Sequence, residues 1–358
     1  MRKKHDGRPS LLVIDKEQFG HMTDPYKWCE HLRDKYDITF LTAALGKEHV
    51  EMDGIKVIYL PFSVPYVIRG IMFILASVWW IYRCPGVTII EYFKHCSILR
   101  FLCPHKKLIV DVRTLSVESQ STYRACADAR LISDCRKFEN VTVISEGVKV
   151  KTGISDAKIL PLGSDEISDK HKCYDDFRVL YVGTFNNRNL DLMIKGIAMF
   201  HTGHPEIPIS VDIVGDGCHG QLDELKSLSE HLGLKNVVKF HGFVPLTKVA
   251  PFFDKCNIGL SFIPMTSYFD NQPPTKTFEY ILSGLFCIAT KTKENKILVT
   301  DSNGVLIDDT PEGVVNGLEL YLSEKSRLSD TIIRESLKDS KWSNIVNRTL
   351  IPIIENAR

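Results

Sequence analysis

Short apolar runs alternate with stretches of helical spacing along almost the whole chain. Leu11–Asp15, Asp37–Thr42, Ile55–Leu60, Thr88–Tyr92, Leu108–Val112, Val141–Ser145 and Lys158–Leu162 read as strands. Their near-continuous hydrophobicity suits strands covered on both faces. Thr23-Asp24-Pro25 caps a helix to about Tyr36, with proline in the first turn, where its missing N–H is not needed. Another helix lies around Tyr66–Tyr82. The stretch from Asp165 to Asp176 is charged and aperiodic and reads as a linker. A second series follows, with strands at Arg178–Val182, Ile209–Val214, Val237–Phe240, Ile258–Ile263, Phe286–Thr290 and Val305–Ile307. Its helices are Leu190–His201, Gln221–Leu232, Val249–Lys255 and Thr275–Ser283. An amphipathic piece, Trp342–Glu355, stands outside that pattern. The alternation predicts two doubly wound α/β domains, 1–165 and 177–340, around a 166–176 linker, with ligands at the carboxyl ends of the strands.

A chain of 358 residues is too long for one ordinary core, in agreement with two domains. A net charge of +1 excludes a global nucleic-acid signature. The ten cysteines contain no C-x-x-C pair and read as reduced thiols of a cytoplasmic protein. His201 and His204 lack the further ligands of a zinc site. Met1–Arg8 is basic, but the apolar run after it is too short for a secretory signal. The uncharged stretch Gly70–Tyr82 is shorter than the roughly 20 residues of a spanning helix. It is either a buried helix or one that dips into a bilayer interface beside Trp79, Trp80 and Tyr82.

The most informative stretch is Gln272-Pro273-Pro274-Thr275-Lys276-Thr277-Phe278-Glu279-Tyr280. It follows a strand and opens a helix that stops at Gly284. Lys276 lies three residues before Glu279 on the same face. First-turn amides at Lys276 and Thr277 would face an anion, and Glu279 would meet hydroxyls, as a nucleoside diphosphate requires. The plainer alternative is a capped helix with a surface Lys–Glu pair. The loop Gly183-Thr184-Phe185-Asn186-Asn187-Arg188-Asn189 leaves a strand end, where a phosphate-binding arginine belongs. Gly215-Asp216-Gly217 is a similar turn without the full dinucleotide-binding pattern.

Taken in order, VLYVGTF, DIVGDG, VKFHGFV, NIGLSFIP, PPTKTFEYILSG and FCIATKT, from Val179 to Leu306, resemble the retaining glycosyltransferases of family four, with the GT-B fold. NVTVISEGVKV and KILPLGSD are similar to the end of that family's first domain. The resemblance implies two Rossmann-like domains facing a cleft, with the C-terminal helix at 341–358 crossing back to the first. It implies transfer of a sugar, with retention, from a nucleotide-sugar donor to a glycan or glycolipid acceptor, in bacterial surface polysaccharide synthesis. Arg188 and Lys276 then act on the leaving diphosphate. Gly183, Pro274, Thr275 and Thr277 line the phosphate turn, Glu279 holds the ribose, and Asn271 faces the donor sugar.

Asn271 stands where the family places a glutamate, and Thr184 where it places a basic residue. The first domain's glycine loop is reduced to Gln18-Phe19-Gly20, leaving Gly20 as a donor-side candidate. Arg113, Asp111 and Ser145 at strand ends are expected on the acceptor or sugar side. The alternative for Asp111 and Arg113 is a structural ion pair, and for Ser145 a turn. No Asp-x-Asp triplet occurs, so no metal ion and no cofactor are expected. The departures keep two other readings open: a non-catalytic GT-B nucleotide-binding subunit, and a sugar-nucleotide epimerase. A lipid-linked acceptor would give Gly70–Tyr82 a role at the inner membrane.

Overall fold

The computed structural model describes residues 7–61, 63–118, 120–218 and 220–357. Most of the basic stretch Met1–Arg8 lies outside them. The chain forms two compact units: Met1–Leu162 with Trp342–Arg358, and Gly163–Lys341.

The first unit holds β1 (Ser10–Asp15), β2 (Asp37–Ala43), β3 (Ile55–Leu60), β4 (Val87–Glu91), β5 (Leu108–Val112), β6 (Asn140–Val143) and β7 (Lys158–Ile159). They form one parallel sheet in the order β3-β2-β1-β4-β5-β6-β7. Between them run α1 (Thr23–Leu32), α2 (Tyr66–Arg83), α3 (Ser97–Leu102), α4 (Ser121–Cys135) and α5 (Glu146–Thr152). β1 is central, pairing Leu11 with Ile38 on one side and Val87 on the other. Leu11 to Asp15 are all buried, so each apolar side chain there contributes about 2 kcal/mol of transfer free energy.

The second unit repeats the plan with β8 (Phe177–Val182), β9 (Ile209–Val214), β10 (Val238–Phe240), β11 (Ile258–Ser261), β12 (Phe286–Thr290) and β13 (Gly304–Ile307). Their order is β10-β9-β8-β11-β12-β13, again all parallel. The helices are α6 (Leu190–Gly203), α7 (Gln221–His231), α8 (Ala250–Lys255), α9 (Thr275–Leu282), α10 (Asn295–Leu298), α11 (Pro311–Glu324) and α12 (Asp330–Glu335). In each sheet the strand order reverses beside the first strand, the point where such sheets offer a ligand crevice. After α12, the terminal segment runs as α13 (Trp342–Ile345), a π-helical turn at Val346–Leu350, and α14 (Ile351–Glu355). α13 packs on α1 within the first unit.

Three places differ from the sequence expectation. Residues 166–176 are packed onto the second unit: Ser168 and Tyr174 are buried, and the Tyr174 hydroxyl donates to the Gly284 carbonyl at 2.7 Å. Missing periodicity marked the lack of a helix or strand there, and packing needs neither. Helices α3, α4, α10, α11 and α12 have no counterpart in the sequence reading. α4 buries only Leu131, Asp134 and Cys135, which leaves little stripe to see. α11 did carry a signal, since the Thr310 side chain accepts from the Gly313 amide with proline in the first turn. Finally, α2 is neither wholly buried nor polar outside. Phe73, Ser77 and Ile81 face the core, and its other side is apolar and exposed.

Candidate functional site

Three strand ends of the second unit stack directly on one another. The Gly183 amide after β8 donates to Val214 O at 3.0 Å, and the Gly215 amide after β9 donates to Gly242 O at 2.8 Å. Both glycines sit at φ 144°. A Cβ on Gly215 would stand 1.9 Å from the Gly183 carbonyl oxygen, and one on Gly183 would stand 2.9 Å from Lys276 Nζ. Only glycine lets these loops approach so closely. Asn187 and Asn189 then take left-handed conformations at φ 55° and 51°, which asparagine tolerates better than most residues. Between them Arg188 turns inward. Its guanidinium lies 4.1 Å from the Phe269 ring centre, and its Nε and Nη1 are buried without hydrogen-bond partners.

α9 is pinned facing this loop. The Tyr280 hydroxyl accepts from the Val182 amide at 2.8 Å. Thr277 is fully buried, its hydroxyl 2.7 Å from Ser261 Oγ and donating to Asn295 Oδ1 at 2.9 Å. The Asn295 side chain donates in turn to Thr290 O at 2.8 Å. Thr277 is therefore an internal strut. Its amide, expected to be free, donates to Pro274 O at 3.0 Å. Thr275 and Lys276 remain in the first turn, where the helix offers their amides no acceptor. Asn271 is buried in the preceding loop, and the adjacent Asp270 accepts from the Lys293 amide at 2.9 Å.

The surface Lys–Glu pair of the plainer alternative does not form. Lys276 instead turns over the Tyr181 ring, with Nζ 3.8 Å from its centre and no hydrogen-bond partner. Burial, with a further push from Arg188, holds its pKa well below the ordinary lysine value. Burial also lowers Arg188. Glu279 is pushed up to about 7 by burial, against the pull of Lys276. Two neighbouring cations with orphaned N–H groups are costly in the absence of an anion. An anion placed between them would offset that cost. Tyr181 and Phe269, the aromatic seats, were not foreseen: nothing in strand alternation separates Tyr181 from an ordinary core residue.

In the first unit, Arg113 is buried at the end of β5. It donates to Asp24 at 2.5 Å and to Leu160 O at 2.7 Å, with Asp111 at 3.7 Å. Asp111 accepts from Thr142 Oγ1 at 2.5 Å. Arg113 Nη2 still lacks a partner, and Arg113 lines a cavity of about 410 Å³ together with Lys16, Glu91 and Arg130. Ser145 caps α5 by accepting from the Val148 amide at 3.3 Å, the turn role. Gly20 turns the chain against Val50.

The buried carboxyls of Asp15 and Glu91 are neighbours, and burial raises both, Glu91 to about 9. An acid whose folded pKa is raised favours folding below its ordinary value and loses that contribution as pH climbs through the folded one. Glu91→Gln should therefore match the wild type near pH ~4 and exceed it in melting temperature increasingly toward pH ~9. Thermal melts across that range check this, and parallel curves would show that burial does not raise Glu91.

Residues 176–324 match the family described as glycosyl transferases group 1. No curated protein matches the chain. Among solved structures, HepE from Anabaena in complex with UDP is similar at TM-score 0.74 and 16% identity, over 96% of this chain and 99% of that one. Sucrose-phosphate synthase from Thermosynechococcus elongatus is similar at 0.72 and 14%, over 96% and 98%. The lipopolysaccharide outer core galactosyltransferase WaaB, in its apo form, is similar at 0.69 and 14%, over 96% and 99%. At these identities the likeness establishes the fold, which is GT-B.

Proposed function

We propose that this chain is a retaining, metal-independent glycosyltransferase that moves a sugar from a nucleoside-diphosphate donor to a glycan or lipid-linked acceptor. The observation that carries this reading is the pair of half-buried cations, Lys276 and Arg188, whose Nζ, Nε and Nη1 atoms are buried without hydrogen-bond partners. The diphosphate would accept their N–H groups and the first-turn amides of α9. Glu279 would take the ribose hydroxyls, and Asn271 would face the sugar.

The chemistry follows from charge. As the bond from the anomeric carbon to the β-phosphate oxygen breaks, charge gathers on the leaving diphosphate, and the two cations stabilise it. The anomeric carbon becomes oxocarbenium-like. A phosphate oxygen of the leaving group takes the acceptor hydroxyl's proton on the same face while the acceptor oxygen bonds to the anomeric carbon. Charge neutralisation by Lys276 and Arg188 stands in for a metal ion, so activity should withstand a chelator.

Similarity to HepE, described with UDP and with glucose, and to the galactosyltransferase WaaB supports a UDP-hexose as the first donor to try. The likeness to WaaB, a lipopolysaccharide outer core galactosyltransferase, also supports a role in surface polysaccharide synthesis. A thermal-shift screen over UDP-, GDP-, ADP- and CMP-sugars tests the reading. One nucleotide class should raise the melting temperature, by about 2.7 kcal/mol of stabilisation at a hundredfold excess over Kd. Silence from every sugar nucleotide and every free diphosphate would overturn it. Release of diphosphate with an acceptor present separates transfer from a nucleotide-binding subunit, and a product still carrying its nucleotide would indicate an epimerase.

A further inference from the structure

We infer that the outer face of α2, continued by α3, is a docking surface for an anionic bilayer. This deepens the reading above by giving a lipid-linked acceptor a place to be met, yet it stands on different residues.

α2 has two opposed sides. Phe73, Ser77 and Ile81 are buried against the core. Ile68, Ile71, Leu75, Trp79 and Tyr82 are exposed by 49%, 55%, 61%, 51% and 57%. At 3.6 residues per turn these five fall within about 80° of one another, centred opposite the buried three. A surface helix normally turns polar residues outward. Here the outward stripe is apolar for the length of the helix. α3 widens it: Tyr82 donates its hydroxyl to Leu102 O at 2.8 Å, and Phe101 beside it is 67% exposed. Contiguous exposed apolar surface of this kind marks an interaction site.

Charge selects the occupant. Between Lys56 and Val110 the only acid is Glu91, which is buried, against seven lysines and arginines. Three of those cations are held over the aromatic rings of α2. Arg83 lies 4.1 Å from the Trp79 ring centre, Lys56 4.6 Å from Trp80, and Lys106 5.6 Å from Tyr82. Cations level with tryptophan and tyrosine, beside an aliphatic stripe, match the order of headgroup and acyl chain at a membrane surface. Each cation near an anionic leaflet adds to the attraction. A second copy of the chain would bring the same cations against themselves. Among the described residues no helix is long and apolar enough to cross a membrane, so α2 would lie in the interface plane.

Flotation of the full chain with vesicles tests this without any donor or acceptor. Phosphatidylcholine alone is compared with phosphatidylcholine containing about one-third phosphatidylglycerol. The protein should float with the anionic vesicles, at least about tenfold more than with neutral ones, and lose much of that binding in high salt. Ile71→Gln/Leu75→Gln should abolish flotation, while its melting temperature and its nucleotide-induced shift stay those of the wild type. Absence of flotation on either vesicle, or flotation untouched by the double variant, overturns the inference. So does a wild-type dimer in light scattering that the same variant dissolves. None of these outcomes bears on nucleotide binding, so failure here is distinguishable from failure of the transfer reading.

Discussion

Lys276→Met should do two opposite things: lower kcat by about 10²- to 10³-fold and raise the melting temperature of the ligand-free protein. The first effect follows from removing one of the two cations that meet the leaving diphosphate. The second follows from the same geometry. The ammonium sits over the Tyr181 ring without a hydrogen-bond partner, near the guanidinium of Arg188. Methionine fills a similar volume and carries no charge to desolvate.

The pH dependence has a definite sign. Because the folded-state pKa is depressed, the unfolded chain takes up the proton first as pH falls below the ordinary lysine value of 10.5. From there downward the wild type loses stability until the folded lysine also protonates. The gap in melting temperature between variant and wild type should widen from pH ~10 toward neutrality. Added diphosphate should close it by stabilising the wild type far more. A variant that melts lower than the wild type at pH ~7, or one that keeps full turnover, would show that Lys276 is an ordinary packed lysine. Arg188→Ala is expected to lose turnover to a similar degree.

Gly215→Ala should be the most damaging small substitution in the second unit. Its Cβ would fall 1.9 Å from the Gly183 carbonyl, a backbone atom that has no rotamer to escape into, and φ 144° disfavours any L side chain. Strain of this kind costs about 2–3 kcal/mol or more. Relief would have to move the β8 loop, and Gly183 and Arg188 with it, so nucleotide binding should fall together with stability. Gly203→Ala, at the end of α6 with no heavy atom within 4 Å of the added Cβ, is the control and should be neutral or stabilising. Denaturant midpoints compare the two directly. Equal midpoints would mean that the stacked loops do not constrain this corner.

Much of this protein was readable in one dimension. Strand period, proline at helix starts and glycine at strand ends are local properties, set by backbone sterics within a few residues. They placed β1 through β13 nearly in full and brought Arg188, Lys276 and Glu279 to strand and helix ends. Local signals failed where the deciding contact lay far along the chain. Thr277 looked like a phosphate ligand through its amide, but the Pro274 carbonyl takes that amide, and the distant Ser261 and Asn295 hold its side chain in the core. Lys276 looked like half of a surface ion pair until β8 delivered Tyr181 beneath it. Glu91 and Asp15 come together only because β1 and β4 are sheet neighbours. α2 is apolar all round, so its sequence alone could not say which side would meet the core. Packing chose Phe73, Ser77 and Ile81, and that choice left the other apolar face outside.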